Sequence, residues 1–94
     1  MEKKEESQNN QNNQKPIGKI VHYFDRLQVA VVSVLEPFTV GETIRIVGPN
    51  GEFTQMVSSI EKNHQKISKA EKGDIVGLQV IEKVKKGYLI YRAQ

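Results

Sequence analysis

Short runs of β-branched and aromatic residues, separated by turn-forming residues, repeat along the chain from residue 17 onward. Residues 17–24 alternate in a way that leaves both faces partly apolar, and residues 28–35 form a nearly continuous Val and Ala run. A run of that kind is typical of a strand that is shielded on both faces. The two segments predict strands joined by a turn at Asp25-Arg26, and the second strand is the expected centre of the core.

The middle of the chain carries the clearest turn signals. Residues 43–47 alternate, which places Ile44 and Ile46 inward and Arg45 outward. The stretch Gly48-Pro49-Asn50-Gly51 that follows is a strong hairpin signal through its Asn-Gly pair. A hairpin is therefore predicted here, and its second strand covers residues 53–60.

The remaining pattern completes an all-β prediction. Apolar alternation over residues 75–80 and a final apolar run over 88–92 indicate two more strands, and the polar stretch between 61 and 74 has room for one short strand. No window shows helical periodicity. We expect six or seven antiparallel strands in a small closed Greek-key β-barrel, since closure removes exposed sheet edges.

The first fifteen residues differ from the rest in composition. They contain the run Gln8 to Gln14, which has no apolar side chain. Without burial to offset an ordering cost of about 1 to 2 kcal/mol per residue, such a segment stays disordered. The sequence therefore predicts a disordered tail over residues 1–15 and one β-barrel domain over residues 16–94.

Composition narrows the cellular setting and the kind of partner. The chain contains no cysteine, so neither disulfides nor thiolate zinc sites hold it together, and no apolar run approaches membrane-spanning length. We expect a cytoplasmic protein without a membrane partner. The formal charge is +3, and residues 61–94 hold eight Lys or Arg against four acids. A basic region of this kind either attracts polyanions or is simply a solvated lysine-rich face.

Three blocks carry a resemblance to a known family. They read Gly-Lys-Ile-Val at 18–21, Val-Gly-Glu-Thr-Ile at 40–44 and Lys-Gly-Asp-Ile-Val-Gly-Leu at 72–78. With their spacing, they resemble the second, β-barrel domain of elongation factor Tu and other translational GTPases. The stretch 18–24 is also similar to small proteins described as translation elongation factor-like, and to the C-terminal barrel of collagenase-like peptidases now associated with RNA modification.

The resemblance to elongation factor Tu implies contact with tRNA or the ribosome. It places Glu61 at a family glutamate near the terminal tRNA nucleotide, and His64 where the factor has an arginine. We therefore expect a non-catalytic module that binds RNA or a ribonucleoprotein, chiefly through phosphate contacts. The hypothetical RNA-binding residues are Glu61, Lys62, His64, Lys66, Lys69 and Lys72.

The resemblance to collagenase-like peptidases supports an alternative of a different class. Here the chain is a protein-protein adaptor barrel that acts with a collagenase-like peptidase or an RNA-modifying enzyme. Its interface would be apolar, and exposure of Phe38, Val40 or Phe53 would favour it.

Enzymatic chemistry has no support in the pattern. A phosphate-binding Gly-x-x-x-x-Gly-Lys-Ser/Thr loop is missing, so GTP is not expected to bind. His22 and His64 are the only histidines, and no group of carboxylates lies next to either. We therefore expect no catalytic residues, no metal site and no cofactor.

Overall fold

The computed structural model describes residues 14–93. Residues 1–13 of the predicted disordered tail lie outside the described residues, as does Gln94. The described part contains ten strands and no helix. The strands are β1 (Gly18–Phe24), β2 (Val29–Val34), β3 (Phe38–Thr39), β4 (Thr43–Gly48), β5 (Gly51–Met56), β6 (Ile60–Lys62), β7 (Gln65–Ile67), β8 (Lys69–Ala70), β9 (Ile75–Gln79) and β10 (Leu89–Arg92).

Eight strands form one antiparallel sheet in the order β5-β4-β10-β1-β2-β9-β6-β7, and β3 pairs with β8 in a separate ribbon. The all-β class is confirmed. The sheet is not closed into a barrel by backbone pairing, because β5 and β7 stand at its two ends. The ribbon ties these ends together, since β3 precedes β4 in the chain and β8 follows β7.

One face of the sheet supplies the core. Ile44 and Ile46 on β4 are buried as predicted, and so are Val76 and Leu78 on β9. On β2 the buried residues alternate with half-buried ones, so that strand is covered fully on one face and partly on the other. The buried apolar residues are Ile17, Ile20, Ala30, Val32, Val34, Phe38, Ile44, Ile46, Val57, Ile60, Ala70, Val76, Leu78, Val80, Val84 and Ile90.

The Gln55 side chain joins the edge strand β5 to the end of β9 and the residues that follow it. Gln55 is 7% exposed and is the buried polar residue of the described core. Its Nε2 donates to the Gln79 carbonyl at 2.9 Å, and its Oε1 accepts from the Ile81 N–H at 2.9 Å. Because buried amide groups are costly unless they are hydrogen-bonded, this geometry makes Gln55 a structural bridge across the gap in the sheet.

The Val-Gly-Glu-Thr block forms the corner between β3 and β4. Gly41 has φ of 97°, which a residue with a side chain adopts only under strain. The Glu42 carboxylate accepts from the Thr39 N–H at 3.1 Å and also pairs with Arg92 on β10. Arg92 donates in addition to the Pro37 carbonyl at 2.9 Å. The block therefore holds a sharp change of direction in place.

The two ends of the described chain lie side by side. The Gln14 side chain donates to the Arg92 carbonyl on β10 and accepts from Arg45 Nη2 at 2.9 Å. The Ile17 N–H donates to the Ile90 carbonyl at 2.7 Å. The Arg45 guanidinium also lies over the Tyr91 ring, 4.9 Å from its centroid, which adds a cation–π contact to the outer face.

Candidate functional site

The hypothetical RNA-binding residues lie along one margin of the sheet. Four of them, Glu61, Lys62, His64 and Lys66, belong to the β6–β7 hairpin. Asn63 and His64 have φ of 54° and 67°, which is the left-handed backbone of a tight hairpin turn. The turn brings Glu61 and Lys66 opposite each other on the exposed surface. Lys69 and Lys72 follow on β8 and in the next turn, and both are exposed.

Acidic neighbours accompany the lysines on this margin. Lys62 Nζ lies 2.9 Å from Asp74 Oδ1, and Lys69 Nζ lies 3.8 Å from Glu71 Oε2. The hydrogen bond from Lys62, together with one from the Glu71 N–H, lowers the pKa of Asp74 below its ordinary value. The margin thus combines both signs of charge, which weakens the field that a polyanion would meet.

The Lys-Gly-Asp block has a structural explanation as well. Gly73 has φ of 92°, and its N–H donates to the Val34 carbonyl at 2.9 Å. Asp74 closes the turn by accepting from the Glu71 N–H at 2.9 Å. These contacts set the entry into β9. The block therefore belongs to the turn chemistry of the fold, as the Val-Gly-Glu-Thr block does.

A second surface was missed by the sequence analysis. Leu27, Met56 and Ile81 are 65%, 60% and 63% exposed, and they lie on segments that the side chains of Gln55 and Gln79 hydrogen-bond to one another. We call these three residues the apolar end patch. The side chains of Gln55 and Gln79 bond to backbone atoms of all three patch residues. Gln79 Nε2 donates to the Leu27 carbonyl at 3.2 Å, while Gln55 contacts the Met56 carbonyl at 3.3 Å and the Ile81 N–H.

The three residues expected at an apolar interface, Phe38, Val40 and Phe53, differ in their exposure to solvent. Phe38 is 1% exposed and belongs to the core, while Phe53 is half-buried against it. Val40 is 41% exposed. The sequence signal for the patch was Leu27, an apolar residue in the tight turn after β1, where polar residues are usual.

Among residues 14–93, no three His, Cys, Asp or Glu side chains cluster in a way that could hold a metal ion. In the same part of the chain, no helix has the length and apolar character needed to cross a bilayer.

Comparison with known proteins decides the family. Residues 12–91 match the family described as Peptidase family U32 C-terminal domain. The chain belongs to this family. Two solved structures of the C-terminal domain of a Geobacillus thermoleovorans protein described as a U32 peptidase share the fold, with TM-scores of 0.79 and 0.80. They are 20% and 18% identical, and the match covers 84% and 93% of this chain and 100% of theirs.

Curated relatives of this U32 C-terminal domain are longer proteins. It is 30% identical over 76 residues to "Uncharacterized protease MJ0090" of Methanocaldococcus jannaschii, and 36% identical over 78 residues to "Collagenase" of Porphyromonas gingivalis. The matches cover 80% and 81% of this chain. They span 19% and 22% of the relatives, so the chain corresponds to about a fifth of their length.

The family assignment corrects part of the sequence-based interpretation. The resemblance to collagenase-like peptidases is confirmed, whereas the expectation of a translation elongation factor-like, RNA-binding domain is wrong. The physical reason lies in the blocks that carried the resemblance. Gly41 and Gly73 mark turns at which the chain enters strands, and such turns are demanded by the fold.

Proposed function

We propose that this U32 C-terminal domain is a non-catalytic accessory module that docks on the body of a collagenase-like peptidase through protein-protein contact. The apolar end patch is the observation that carries the proposal. Exposed apolar side chains are ordinary when scattered, but three of them on segments whose backbones Gln55 and Gln79 hydrogen-bond to one another favour an interaction site.

The surroundings of the patch suit an interface. Asp25 and Lys83 form an exposed ion pair at 3.7 Å beside the turn that carries Leu27. An apolar centre with a charged, solvent-accessible rim is the usual anatomy of a protein interface. Covering a Leu or Ile side chain contributes about 1.5–3 kcal/mol, so three partial burials are enough for a binding contact when the rest of the interface is complementary.

Family membership supports the class of partner in this proposal. The relatives named as a protease and as collagenases contain a region similar to this chain as about a fifth of a longer protein. We infer that the remaining four-fifths of such a protein provides the surface on which the module docks. In this proposal, proteolytic chemistry resides in that body, and the module contributes binding.

Direct binding to a peptidase body tests the proposal. The partner is a U32 peptidase encoded in the same genome, prepared without its own C-terminal domain, and binding is measured by isothermal titration calorimetry. Leu27→Asp and Ile81→Asp should each weaken binding at least about tenfold, which corresponds to about 1.4 kcal/mol. Both side chains are exposed, so circular dichroism should show an unchanged fold.

The matched control is the double variant Lys66→Glu and Lys69→Glu on the lysine-bearing margin. It changes the charge by four units and leaves the apolar end patch intact, so the affinity for the peptidase body should stay within about twofold. The proposal fails if no binding is detected. It also fails if the lysine variant abolishes binding while the two patch variants bind like the wild type.

A further inference from the structure

The outer edge of β5 offers unpaired backbone groups. The β4–β5 register pairs Thr43 with Met56 and therefore continues to Glu42 opposite Val57, whose N–H donates to the Glu42 carbonyl at 2.8 Å. Antiparallel bonding alternates along a strand. The backbone groups of Glu52 and Thr54 consequently point away from β4, toward the free edge.

A groove runs beside this edge. It has a volume of about 320 Å³ and separates β5 from the segment that contains Glu82 and Lys83. Phe53 and Tyr88 supply aromatic walls, and Ile46 lies at its base. The Tyr88 ring is fixed against Gly48, where a Cβ atom would come within 2.5 Å of it. The wall is therefore preformed and has little freedom to collapse.

The rim of the groove defines the charge of a suitable occupant. Glu52 is paired with Arg45 at 3.1 Å, and Lys83 lies 3.7 Å from Asp25. Glu82 has no ion-pair partner within residues 14–93, so it adds an unpaired negative charge to the rim. On a chain of net charge +3, this is a place where a basic side chain is favoured.

We propose that β5 takes up an extended peptide segment of a partner protein as an additional strand. The segment pairs its backbone with Glu52 and Thr54, places an apolar side chain in the groove and directs a Lys or Arg to Glu82. This mode uses main-chain hydrogen bonds for affinity and alternate side chains for selectivity. The Gln55 side chain on β5 already bonds to Gln79 at the end of β9 and to Ile81 just after it, so the edge is held in shape before binding.

Fluorescence anisotropy with a labelled peptide tests this proposal. The probe is Lys-Val-Lys-Val-Lys-Val-Lys, and the first control is the same peptide with every backbone nitrogen methylated, which removes the donors needed for strand pairing at both of its edges. Methylation should weaken binding by at least about tenfold. A second control replaces every Lys by Glu and should bind at least about fivefold more weakly, because it opposes Glu82.

Variants of the protein separate pairing from general attraction. Thr54→Pro removes the outward N–H without touching the β4 ladder, and it should weaken binding about tenfold, whereas Thr54→Val should not. Glu82→Lys should weaken binding about fivefold, and the matched variant Glu61→Lys on β6, at the opposite margin, should leave it unchanged. If Thr54→Pro fails to fold, the comparison of the methylated and unmethylated peptides on the wild-type protein decides whether backbone pairing is used.

Three results would overturn the proposal. They are equal binding of the methylated peptide, no binding of the unmethylated peptide at millimolar concentration, and self-association of the chain that Thr54→Pro abolishes, which would assign the edge to a second copy. Each of these can occur while the apolar end patch still binds a peptidase body. Failure here is therefore distinguishable from failure of the proposed docking function.

Discussion

Replacement of Gln55 by Leu tests how the open sheet is held together. Leu has a similar volume and fits a buried position, but it cannot donate to the Gln79 carbonyl or accept from the Ile81 N–H. Both backbone groups would then lose their partner in a site where the side chain is only 7% exposed. We expect a folded protein of much reduced stability.

The magnitude follows from the two bonds. Each contributes about 1 kcal/mol net, and an orphaned buried group adds a desolvation cost of about 1–3 kcal/mol. Leu recovers part of this loss by burying more apolar surface. The free energy of unfolding should fall by about 2–3 kcal/mol, which lowers the melting temperature by roughly 10–20 °C in a domain of this size.

Urea titration followed by circular dichroism measures the change. The control is Gln79→Ala, because the Gln79 side chain is exposed and its bonds to the Leu27 and Gln28 carbonyls are long, at 3.2 and 3.3 Å. That variant should lose less than about 1 kcal/mol. A loss under about 0.5 kcal/mol for Gln55→Leu would refute the bridging role.

Three further substitutions probe other features. Gly48→Ala should cost about 1–3 kcal/mol in urea unfolding, because the added methyl meets the Tyr88 ring, and stability equal to wild type would contradict this contact. Val84→Ala should cost about 2 kcal/mol, although Val84 lies outside any strand, because its side chain is 1% exposed; a loss below about 0.5 kcal/mol would count against its core role. Asp74→Asn should flatten the acid side of the stability profile: the folded pKa of Asp74 lies below its ordinary 3.8, so the stabilisation by Lys62 is present above that value and disappears as pH falls through the folded pKa. The measurement is the melting temperature between pH 2 and 6, at steps of about 0.5 pH unit. If the melting temperature of the variant falls with acid as steeply as that of the wild type, the role of the Asp74–Lys62 pair is contradicted.

The strands that could be predicted were those with strong local signals. The inward placement of Ile44 and Ile46 follows from alternation, and a hairpin within residues 48–51 follows from turn chemistry. Its turn residues are Pro49 and Asn50, because Gly51 already pairs with Gly48 as the first residue of β5. The ribbon of β3 and β8 was beyond such reasoning. It pairs Phe38 with Ala70, far apart in sequence and two residues per strand, so no local pattern announces it.

The functional surfaces were harder to predict for a related reason. Lysines are visible in a sequence, but their acidic partners are only found in three dimensions, and Lys62 pairs with Asp74, twelve residues away in the chain. Met56 and Ile81 each follow a buried residue, so the sequence gives no sign that they emerge on the same end. The family was found through the sequence resemblance to collagenase-like peptidases, while the pattern of apolar and polar residues alone predicted only an all-β fold.

The neighbouring positions of Gln14 and Arg92 have a consequence for architecture. Because Gln14 and Arg92 are hydrogen-bonded neighbours on the surface, a host polypeptide can lead into and out of the domain at one place. The domain can therefore be inserted or removed without disturbing its strands. A circular permutant of residues 14–92 that joins Arg92 to Gln14 and opens the chain between Pro49 and Asn50 should keep the native β-structure and unfold cooperatively, which far-ultraviolet circular dichroism during a urea titration measures. The hydrogen bond between Gln14 and Arg92 is thus the feature that makes the domain transferable as a unit.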